Sequence, residues 1–502
     1  MYVLTICCIF TPIELLKYYG FMKKRFASLL WIMMFPVLLW AQVSLPKVIG
    51  DNMVLQQGKK VAIWGKAAVG EKVTVKFQKQ TKKTVANEKG EWIVQFDELI
   101  ATHQPQQMIV KGRKNTIRLK NILIGEVWLA SGQSNMEYSM NNHPNYAKAK
   151  KGDPDKLKKE FEQADNPLIR LMYVKKDLKS DTLPSDGWKT ISSESLAPIS
   201  AAGYFFAKKL VEELNVPVGV ISTSWGGTRI ETWTSEEAYA DSKVFKSKLI
   251  DHKIDAHKVG ERYEKMVEPM IPFTLRGFLW YQGESNLIEL GPEDNYFDKQ
   301  KTLVESWRHA WGDEKLPFYY VQISPYTYSH RRGDLVANAW DALPKFWESQ
   351  TACLAIPHTG MVVTTDLVDN VKDIHPSYKW IVGERLARWA LANVYGKNDI
   401  VYRGPVYKNV RVEDNKLIVE FDYAHGGLKT NDGQAPDWFQ LKTLNGRYVK
   451  PQRAWIEDNK VILVHDKLHP DGAVRFAWDE VAMPNLVNGE GLPAQPFRAT
   501  IK

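Results

Sequence analysis

The sequence contains little cysteine, and this scarcity restricts how the fold can be stabilised. Only three cysteines occur in 502 residues, and two of them, Cys7 and Cys8, lie in an N-terminal segment of distinct composition. Without that segment Cys353 is alone, so no disulfide can form within the chain and stability must come from hydrophobic cores. The length exceeds the roughly 250 to 300 residues that one core supports, which predicts more than one domain.

The sequence also lacks long runs of one charge sign and long segments rich in Pro, Gly or Ser. Basic residues exceed acidic ones by nine, but they are scattered among acidic neighbours. A nucleic-acid-binding protein typically gathers its basic residues on one surface, so this distribution argues against a nucleic-acid partner. A hydrophobic content of 44% with many aromatics indicates a globular protein.

The first 41 residues have the layout of a secretory signal. From Met22 a basic region is followed by an apolar region from about Ala27 to Trp40 and by Ala41 as the cleavage residue. Because the apolar region is shorter than the roughly 20 residues of a spanning helix, we expect no stable membrane span. Residues 1–21 do not fit a signal and are predicted to derive from an upstream start. Cleavage near Ala41 predicts a periplasmic or secreted protein. The segment carries four basic residues and one acidic residue, so its removal lowers the net charge by three, from +9 to +6.

Hydrophobic periodicity divides the remaining chain into three parts. Residues 42–122 alternate apolar and polar positions between turn signals, which predicts an antiparallel β domain. Residues 123–397 contain short continuous apolar runs separated by helical patterns, which predicts a mainly parallel sheet with helices on both faces. Residues 398–502 return to a β pattern, and the near-copies at 412–421 and 456–465 predict similar hairpins in one domain.

Small, amide and acid–base residues follow four of the apolar runs in the middle part. They are GQSNM at 132–136, SWGGTR at 224–229, QGESN at 282–286 and DLVDNVKDIHP at 366–376. In parallel α/β sheets, ligands bind at the carboxyl ends of the strands. The four segments therefore predict one site at that edge of the sheet.

These segments contain the residue types of a serine hydrolase. A serine hydroxyl becomes nucleophilic when a neighbouring base takes its proton, and an acidic group fixes the tautomer of that base. Ser134 supplies the nucleophile, and Asp373 and His375 supply the acid and the base. The glycine at 132 is expected to form a tight turn that lifts Ser134 out at the start of a helix.

The oxyanion of such a reaction needs several hydrogen-bond donors aimed at one point. A backbone N–H beside Ser134 and another from Gly226 or Gly227 are available in the sequence. A side-chain amide is available from Gln282 or from Asn286, and the residue pattern leaves these two alternatives open.

Five longer segments resemble a known enzyme family. They are GEVWLASGQSNM (125–136), GVISTSWGGTRIETW (219–233), FLWYQGESN (278–286), DIHPSYKWIVGERLA (373–387) and NLVNGEGLPAQPFR (485–498). With these segments the chain resembles the sialate O-acetylesterase family of carbohydrate esterases, within the SGNH-hydrolase superfamily. The resemblance implies a flavodoxin-like, three-layer α/β/α catalytic domain, and the β patterns on either side of it predict flanking β-sandwich-like domains. It also implies hydrolysis of O-acetylated sugars without a metal or another cofactor.

The resemblance assigns Ser134 as nucleophile, His375 as base and either Gly226 or Gly227 as the backbone oxyanion donor. The sequence departs from the wider superfamily at two points. Gly-Glu-Ser-Asn at 283–286 replaces Gly-x-Asn-Asp, which leaves the amide donor open. The acid usually stands three positions before the histidine, where this chain has Lys372, so Asp366 and Asp369 remain alternatives to Asp373.

Residues beside the predicted catalytic groups are expected to contact the substrate. They are Gln133, Arg229, Glu231 and Glu284, and Arg229 is the nearest basic group for the carboxylate of a sialic acid. A structural ion pair between Arg229 and Glu231 is the alternative. Acetylated xylan or another hemicellulose is the second substrate class. A catalytically inactive glycan-binding protein is the alternative of a different functional class.

Overall fold

The structure is a computed structural model of the chain, and it describes residues 42–142, 149–292, 294–330, 339–468 and 473–500. The described residues from Val43 onward belong to one compact unit. The predicted signal segment, residues 1–41, lies outside the described residues. In the described part of the chain, no helix is long and apolar enough to cross a membrane.

Twenty-five strands run through the described residues. In chain order they are β1 (Val54–Gln56), β2 (Val61–Lys66), β3 (Lys72–Phe77), β4 (Gln80–Val85), β5 (Glu91–Phe96), β6 (Thr102–Lys111), β7 (Thr116–Gly132), β8 (Ile169–Val174), β9 (Ser185–Thr190), β10 (Val218–Ser224), β11 (Lys253–Ile254), β12 (His257–Lys258), β13 (Gly277–Tyr281), β14 (Phe318–Val321), β15 (Thr359–Val362), β16 (Val406–Glu413), β17 (Lys416–Asp422), β18 (Leu428–Thr430), β19 (Phe439–Lys442), β20 (Tyr448–Val449), β21 (Arg453–Glu457), β22 (Lys460–Val464), β23 (Ala473–Phe476), β24 (Leu486–Asn488) and β25 (Phe497–Thr500).

The α-helices described lie between these strands. They are α1 (Ser134–Glu137), α2 (Lys156–Gln163), α3 (Ser193–Leu196), α4 (Ala201–Leu214), α5 (Glu236–Asp241), α6 (Glu261–Met266), α7 (Glu284–Leu290), α8 (Tyr296–Trp311), α9 (Ala342–Ala352) and α10 (Lys379–Asn393). Short 3-10 turns occur at Met140–Asn142, Ile230–Trp233, Glu268–Met270, Tyr328–His330 and Cys353–Ala355.

A mixed sheet forms the centre of the molecule. Most of its strands are parallel, in agreement with the prediction of a mainly parallel sheet. Its strands are ordered β15-β14-β13-β7-β10-β8-β9, and all neighbours are parallel except β9, which pairs antiparallel with β8. Strands β8 to β10 lie on one side of β7 in the sheet, and strands β13 to β15 lie on the other side. The carboxyl end of β7 therefore lies at a switch point of the topology, where α/β proteins bind ligands.

Alternate side chains of the central strands pack into two different hydrophobic clusters. Trp128 and Ala130 of β7 belong to the cluster that contains the apolar faces of α4 and α10. Val127 and Leu129 belong to the cluster that contains residues of α8 and α9. All four side chains are fully buried, and burial of a large apolar side chain contributes about 1.5 to 3 kcal/mol. Helices therefore cover both faces of the central sheet, as predicted.

Strand β7 connects the N-terminal strands to the central sheet. It is 17 residues long and pairs with β6 and β1 near its start and with β10 and β13 towards its end. The predicted boundary between residues 122 and 123 falls inside this strand. Because the strand continues without a break, β1, β3, β4 and β6 join the same eleven-stranded sheet, while β2 and β5 pair separately.

The C-terminal strands are antiparallel and share a hydrophobic core. Two four-stranded sheets, β16-β17-β22-β21 and β20-β19-β23-β25, both contribute buried side chains to it. The near-copies in the sequence form the hairpins β16/β17 and β21/β22, as predicted. In the first hairpin Asp414 and Asn415 adopt φ of 50° and 58°, a conformation that these residue types tolerate in tight turns.

Candidate active site

Ser134 leaves the sheet immediately after its central strand. Strand β7 ends at Gly132, which is in register with Ser224 of β10 and Tyr281 of β13, and α1 begins at Ser134. Gly132 has a φ of 140°, and a Cβ at this position would lie 2.2 Å from the carbonyl oxygen of Tyr281. Only glycine fits so close to the neighbouring strand. The turn places Ser134, which is partly exposed, at the carboxyl edge of the sheet.

Gly226, one of the two glycines predicted as an oxyanion donor, borders Ser134. A Cβ at Gly226 would lie 3.2 Å from the Cβ of Ser134, whereas a Cβ at Gly227 would meet nothing within 4 Å. The backbone N–H of Gly226 donates to the carboxylate of Glu137. The other oxygen of that carboxylate lies 2.5 Å from the Nζ of Lys176.

Glu137 and Lys176 were not among the residues predicted from the sequence. Glu137 stands three residues after Ser134, and Lys176 follows strand β8 by two residues. Their positions in the sequence could have indicated them. Both residues follow strands of the parallel sheet, so both lie at the same edge of that sheet. Neither residue belongs to the polar segments that first indicated the site.

The segment containing His375 lies against the segment containing Ser134. The side-chain Nδ2 of Asn135 donates to the carbonyl oxygen of Ile374 over 3.0 Å. Asp373 accepts the backbone N–H of His375 at 2.9 Å, so its carboxylate lies at the start of the histidine loop. The tertiary structure thus brings together two segments that are about 240 residues apart in the chain.

The two alternative acids bind other partners. Asp366 accepts two hydrogen bonds from the guanidinium of Arg385, at 2.8 and 2.5 Å. Asp369 accepts the hydroxyl of Tyr378, with its two oxygens at 2.8 and 2.7 Å. The hydrogen bond that Asp373 accepts comes from the backbone N–H of His375, so it places the acid beside the histidine without reaching the imidazole.

Gln133 connects the nucleophile segment to the start of α7. Its Oε1 accepts from the Nε2 of Gln282 at 3.1 Å and from the backbone N–H groups of Gly283 and Ser285 at 3.3 and 3.1 Å. Because two backbone N–H groups donate to this atom of Gln133, it must be the oxygen of the side-chain amide and not the nitrogen. Gln133 is only 3% exposed, so much of its side chain serves to hold the turn before Ser134 in place.

The two alternative oxyanion amides are fully buried and bonded to each other. The Nε2 of Gln282 lies 2.7 Å from the Oδ1 of Asn286, and the Nδ2 of Asn286 donates to Glu231 at 3.1 Å. Gln282 contacts Gln133, the residue before Ser134, whereas Asn286 is one hydrogen bond further away. This geometry favours Gln282 as the amide nearer to the nucleophile.

Arg229 and Glu231 form a buried ion pair, which corrects their predicted contact with substrate. Arg229 is 2% exposed, and its Nη2 lies 2.5 Å from the Oε1 of Glu231. Burial alone would raise the pKa of Glu231, but attraction to Lys299 and Arg229 outweighs it and lowers that pKa to about 2. A guanidinium held in this way has no accessible face for a sugar carboxylate, so we assign the pair a structural role.

Among the described residues, three acids lie close enough together to hold a metal ion: Glu231, Asp255 and Asp294. The Nζ of Lys299 lies between them, 2.7 Å from Glu231, 2.9 Å from Asp255 and in contact with Asp294. Burial raises the pKa of Asp294 to about 7 despite the neighbouring lysine. The ammonium already provides the positive charge that this cluster requires.

Glu284 and Lys379 are buried next to the site and do not reach solvent. Glu284 is 1% exposed and accepts from the Nδ2 of Asn135 at 2.5 Å, and burial raises its pKa. Its predicted contact with substrate is therefore corrected to a contact that positions Asn135. Lys379, which was not predicted from the sequence, is fully buried and donates to the carbonyl oxygen of Pro376 at 2.5 Å. Burial lowers its pKa to about 7.

Comparisons with known proteins agree with the motifs. A family model described as carbohydrate esterase, sialic acid-specific acetylesterase matches residues 124–392. The sialate O-acetylesterase of Homo sapiens is 27% identical, with 93% of this chain and 95% of that protein covered. The sialate O-acetylesterase of Pongo abelii is 29% identical with the same coverage.

A solved structure is also similar over nearly the whole chain. It is a carbohydrate acetylesterase from Xanthomonas citri, 29% identical, with a TM-score of 0.79 and coverage of 91% of this chain and 99% of the other. The family match alone spans more than half of the 502 residues. The chain therefore belongs to the carbohydrate esterase family of sialic acid-specific acetylesterases and is a carboxylic ester hydrolase.

Proposed function

We propose that the chain is an exported serine esterase that releases acetate from O-acetylated sialic acids. The observation that carries this proposal is the hydrogen bond between Asn135 and Ile374, because it holds the neighbour of Ser134 against the neighbour of His375. The sialate O-acetylesterases among the relatives support the choice of substrate. Asp373 is proposed as the acid, since Asp366 and Asp369 bind other partners.

The proposed reaction has two halves. The Oγ of Ser134 attacks the acetyl carbonyl carbon while His375 takes its proton. When the tetrahedral intermediate collapses, the bond to the sugar oxygen breaks and that oxygen receives the proton from His375. Water, deprotonated by the same imidazole, then attacks the acetyl-enzyme, and acetate leaves as the serine regains its proton.

The oxyanion of each intermediate requires donors that are already in place. We assign the backbone N–H groups of Ser134 and Gly226 to this role. The amide nitrogen of Gln282 is fully buried and already bonded to Gln133, Thr228 and Asn286, so Gln282 is proposed to hold the turn before Ser134 in place. Gly226 is preferred over Gly227 because of its closeness to Ser134. Asn286, whose amide donates to Glu231, is proposed to orient Gln282.

Neutral acetylated sugars remain the second substrate class. The similar structure from Xanthomonas citri is described as a carbohydrate acetylesterase, a name that does not specify sialate. Comparing acetate release from O-acetylated sialic acid and from acetylated xylan would separate the two classes. Faster turnover of acetylated xylan would replace sialate as the proposed substrate.

Export and the finer domain organisation are part of the same proposal. We expect cleavage near Ala41, a catalytic part covering residues 123–397, and β-sandwich-like parts at 42–122 and 398–502. Mass spectrometry of the protein recovered outside the cytoplasm should find Gln42 at or near its N-terminus. Detection of Met1 on that protein would contradict the signal assignment.

Two substitutions test the proposed catalytic residues. Ser134→Ala and His375→Ala should each lower turnover of a small activated acetyl ester by roughly three orders of magnitude or more, with unchanged thermal unfolding. Ser139→Ala and His309→Ala are matched controls, because Ser139 lies beyond α1 and His309 is exposed on α8. Retention of more than about a tenth of wild-type turnover in either test variant would refute the assignment.

A further inference from the structure

A lysine–glutamate pair lies beside the proposed oxyanion site. One oxygen of Glu137 accepts the N–H of Gly226, and the other lies 2.5 Å from the Nζ of Lys176. The side chains of Lys176 and Glu137 are 38% and 28% exposed, so solvent and ligands reach both. Glu137 therefore connects Lys176 to the N–H of Gly226, which is the donor assigned to the acetyl oxygen.

The carboxylate of Glu137 occupies a donor that catalysis needs. In the proposed reaction the N–H of Gly226 binds the acetyl carbonyl oxygen, yet here it binds Glu137. One N–H cannot give a full hydrogen bond to both acceptors. Glu137 must therefore move away when the acetyl group binds, and its departure leaves Lys176 without this partner.

In the described part of the site, three other basic groups are committed elsewhere. Arg229 is buried against Glu231, and Lys379 is fully buried. Arg262 lies over the ring of Trp225 at 4.8 Å and pairs with Glu261. Lys176 differs from these three described groups, because it reaches solvent and its counter-ion is the residue that occupies the N–H of Gly226.

We propose that Glu137 and Lys176 form an exchangeable ion pair, in which the carboxylate of an anionic acetylated sugar replaces Glu137 on Lys176. The inference rests on the proposed function and specifies its substrate class. A neutral sugar must also displace Glu137 from Gly226, but it offers Lys176 no replacement charge. The exchange therefore favours a sugar acid over a neutral acetylated sugar.

Lys175 provides a matched control for this role. It precedes Lys176 in the chain and is also exposed, but it pairs with Asp186 of β9 at 2.8 Å. Lys175→Gln removes the same charge from the neighbouring position without altering the pair beside Gly226. Lys176→Arg keeps a positive charge at the proposed position.

The experiment compares O-acetylated N-acetylneuraminic acid with the methyl ester of its carboxylate, which carries the same acetyl group without the charge. Lys176→Gln should raise KM for the acid about tenfold more than KM for the methyl ester, the loss expected for one charge-assisted contact near solvent. Lys175→Gln should match wild type on both substrates, and Lys176→Arg should restore most of the preference. Glu137→Ala should lower KM for the acid, because the competing carboxylate is gone.

A binding measurement gives a second readout. In the inactive Ser134→Ala background, titration calorimetry with the acetylated acid should show weaker binding when Lys176→Gln is added and no change with Lys175→Gln. Equal effects of Lys176→Gln on acid and methyl ester, or a large loss of kcat in Glu137→Ala, would overturn the exchange. Failure of the wild type to release acetate from any acetyl ester would instead overturn the proposed function, so the two outcomes are distinguishable.

Discussion

The side-chain amide of Asn135 donates to the carbonyl oxygen of Ile374 over 3.0 Å. The same nitrogen donates to the buried carboxylate of Glu284 at 2.5 Å. One amide therefore joins three segments: the turn that carries Ser134, the start of α7 and the loop that carries His375. Asn135 and Glu284 are buried, and we expect the relative position of the proposed nucleophile and base to depend on their contact.

Asn135→Ala should lower kcat by about tenfold to a hundredfold with little change in KM, since small displacements of reacting groups cost rates of this order. Steady-state kinetics on an activated acetyl ester measures the effect. Asn141→Ala, at an exposed asparagine, is the control. A kcat within twofold of wild type in Asn135→Ala would show that the contact does not position the catalytic groups.

Asp373→Asn should lower kcat far more than Asp366→Asn or Asp369→Asn. An asparagine still accepts the backbone N–H of His375, so the substitution removes charge while keeping the loop contact. Loss of a triad acid costs up to about four orders of magnitude in kcat. If Asp366→Asn or Asp369→Asn has the larger effect on kcat, the acid lies upstream and the proposed triad is wrong.

Arg229→Gln should destabilise the protein without changing substrate preference. Removing one partner of a buried ion pair leaves the other charge uncompensated and costs about 3 to 5 kcal/mol. Urea unfolding measures this loss, with Arg498→Gln as control because the Arg498–Glu348 pair is exposed and should cost less than about 1 kcal/mol. A selective loss of activity on acetylated sialic acid in Arg229→Gln would return this residue to substrate recognition.

Lys379→Met should change how stability depends on pH. The pKa of Lys379 falls from its ordinary 10.5 to about 7 in the folded chain, so between these values the unfolded chain binds a proton that the folded chain does not. The free energy of unfolding therefore rises with pH in this window. Below about pH 7 Lys379 is charged in both states, and burial of its charge destabilises the folded chain to the full extent. From pH 7 to pH 9, wild type should gain about 2 kcal/mol relative to Lys379→Met.

Urea unfolding at several pH values measures the difference, and Lys246→Met at an exposed lysine is the control. Parallel curves for wild type and Lys379→Met would show that Lys379 keeps its ordinary pKa in the folded protein.

Chelators should leave the rate unchanged, since Ser134 and His375 account for the proposed chemistry. The acidic cluster around Lys299 already has a positive charge at its centre. Assays before and after dialysis against EDTA measure the effect. Inactivation that a divalent ion reverses would reject the serine mechanism.

Local sequence patterns determined much of the fold and the order of the site segments. Strand and helix periodicities depend on neighbouring residues, so the hairpins, the helices α4 and α10 and the parallel strands were predictable. The turn after β7 was also predictable, because a glycine followed by polar residues ends an apolar strand whatever surrounds it. Ser134 and His375 could be proposed on the same basis.

The tertiary structure decided which polar groups are accessible and which bind each other. Arg229 and Lys176 are both basic residues near strand ends, but the fold buries the first against Glu231 and leaves the second exposed beside Glu137. Lys176 and Glu137 are 39 residues apart and meet only because β8 and β7 lie on either side of β10. Burial and strand order depend on long-range packing, and no local pattern encodes them.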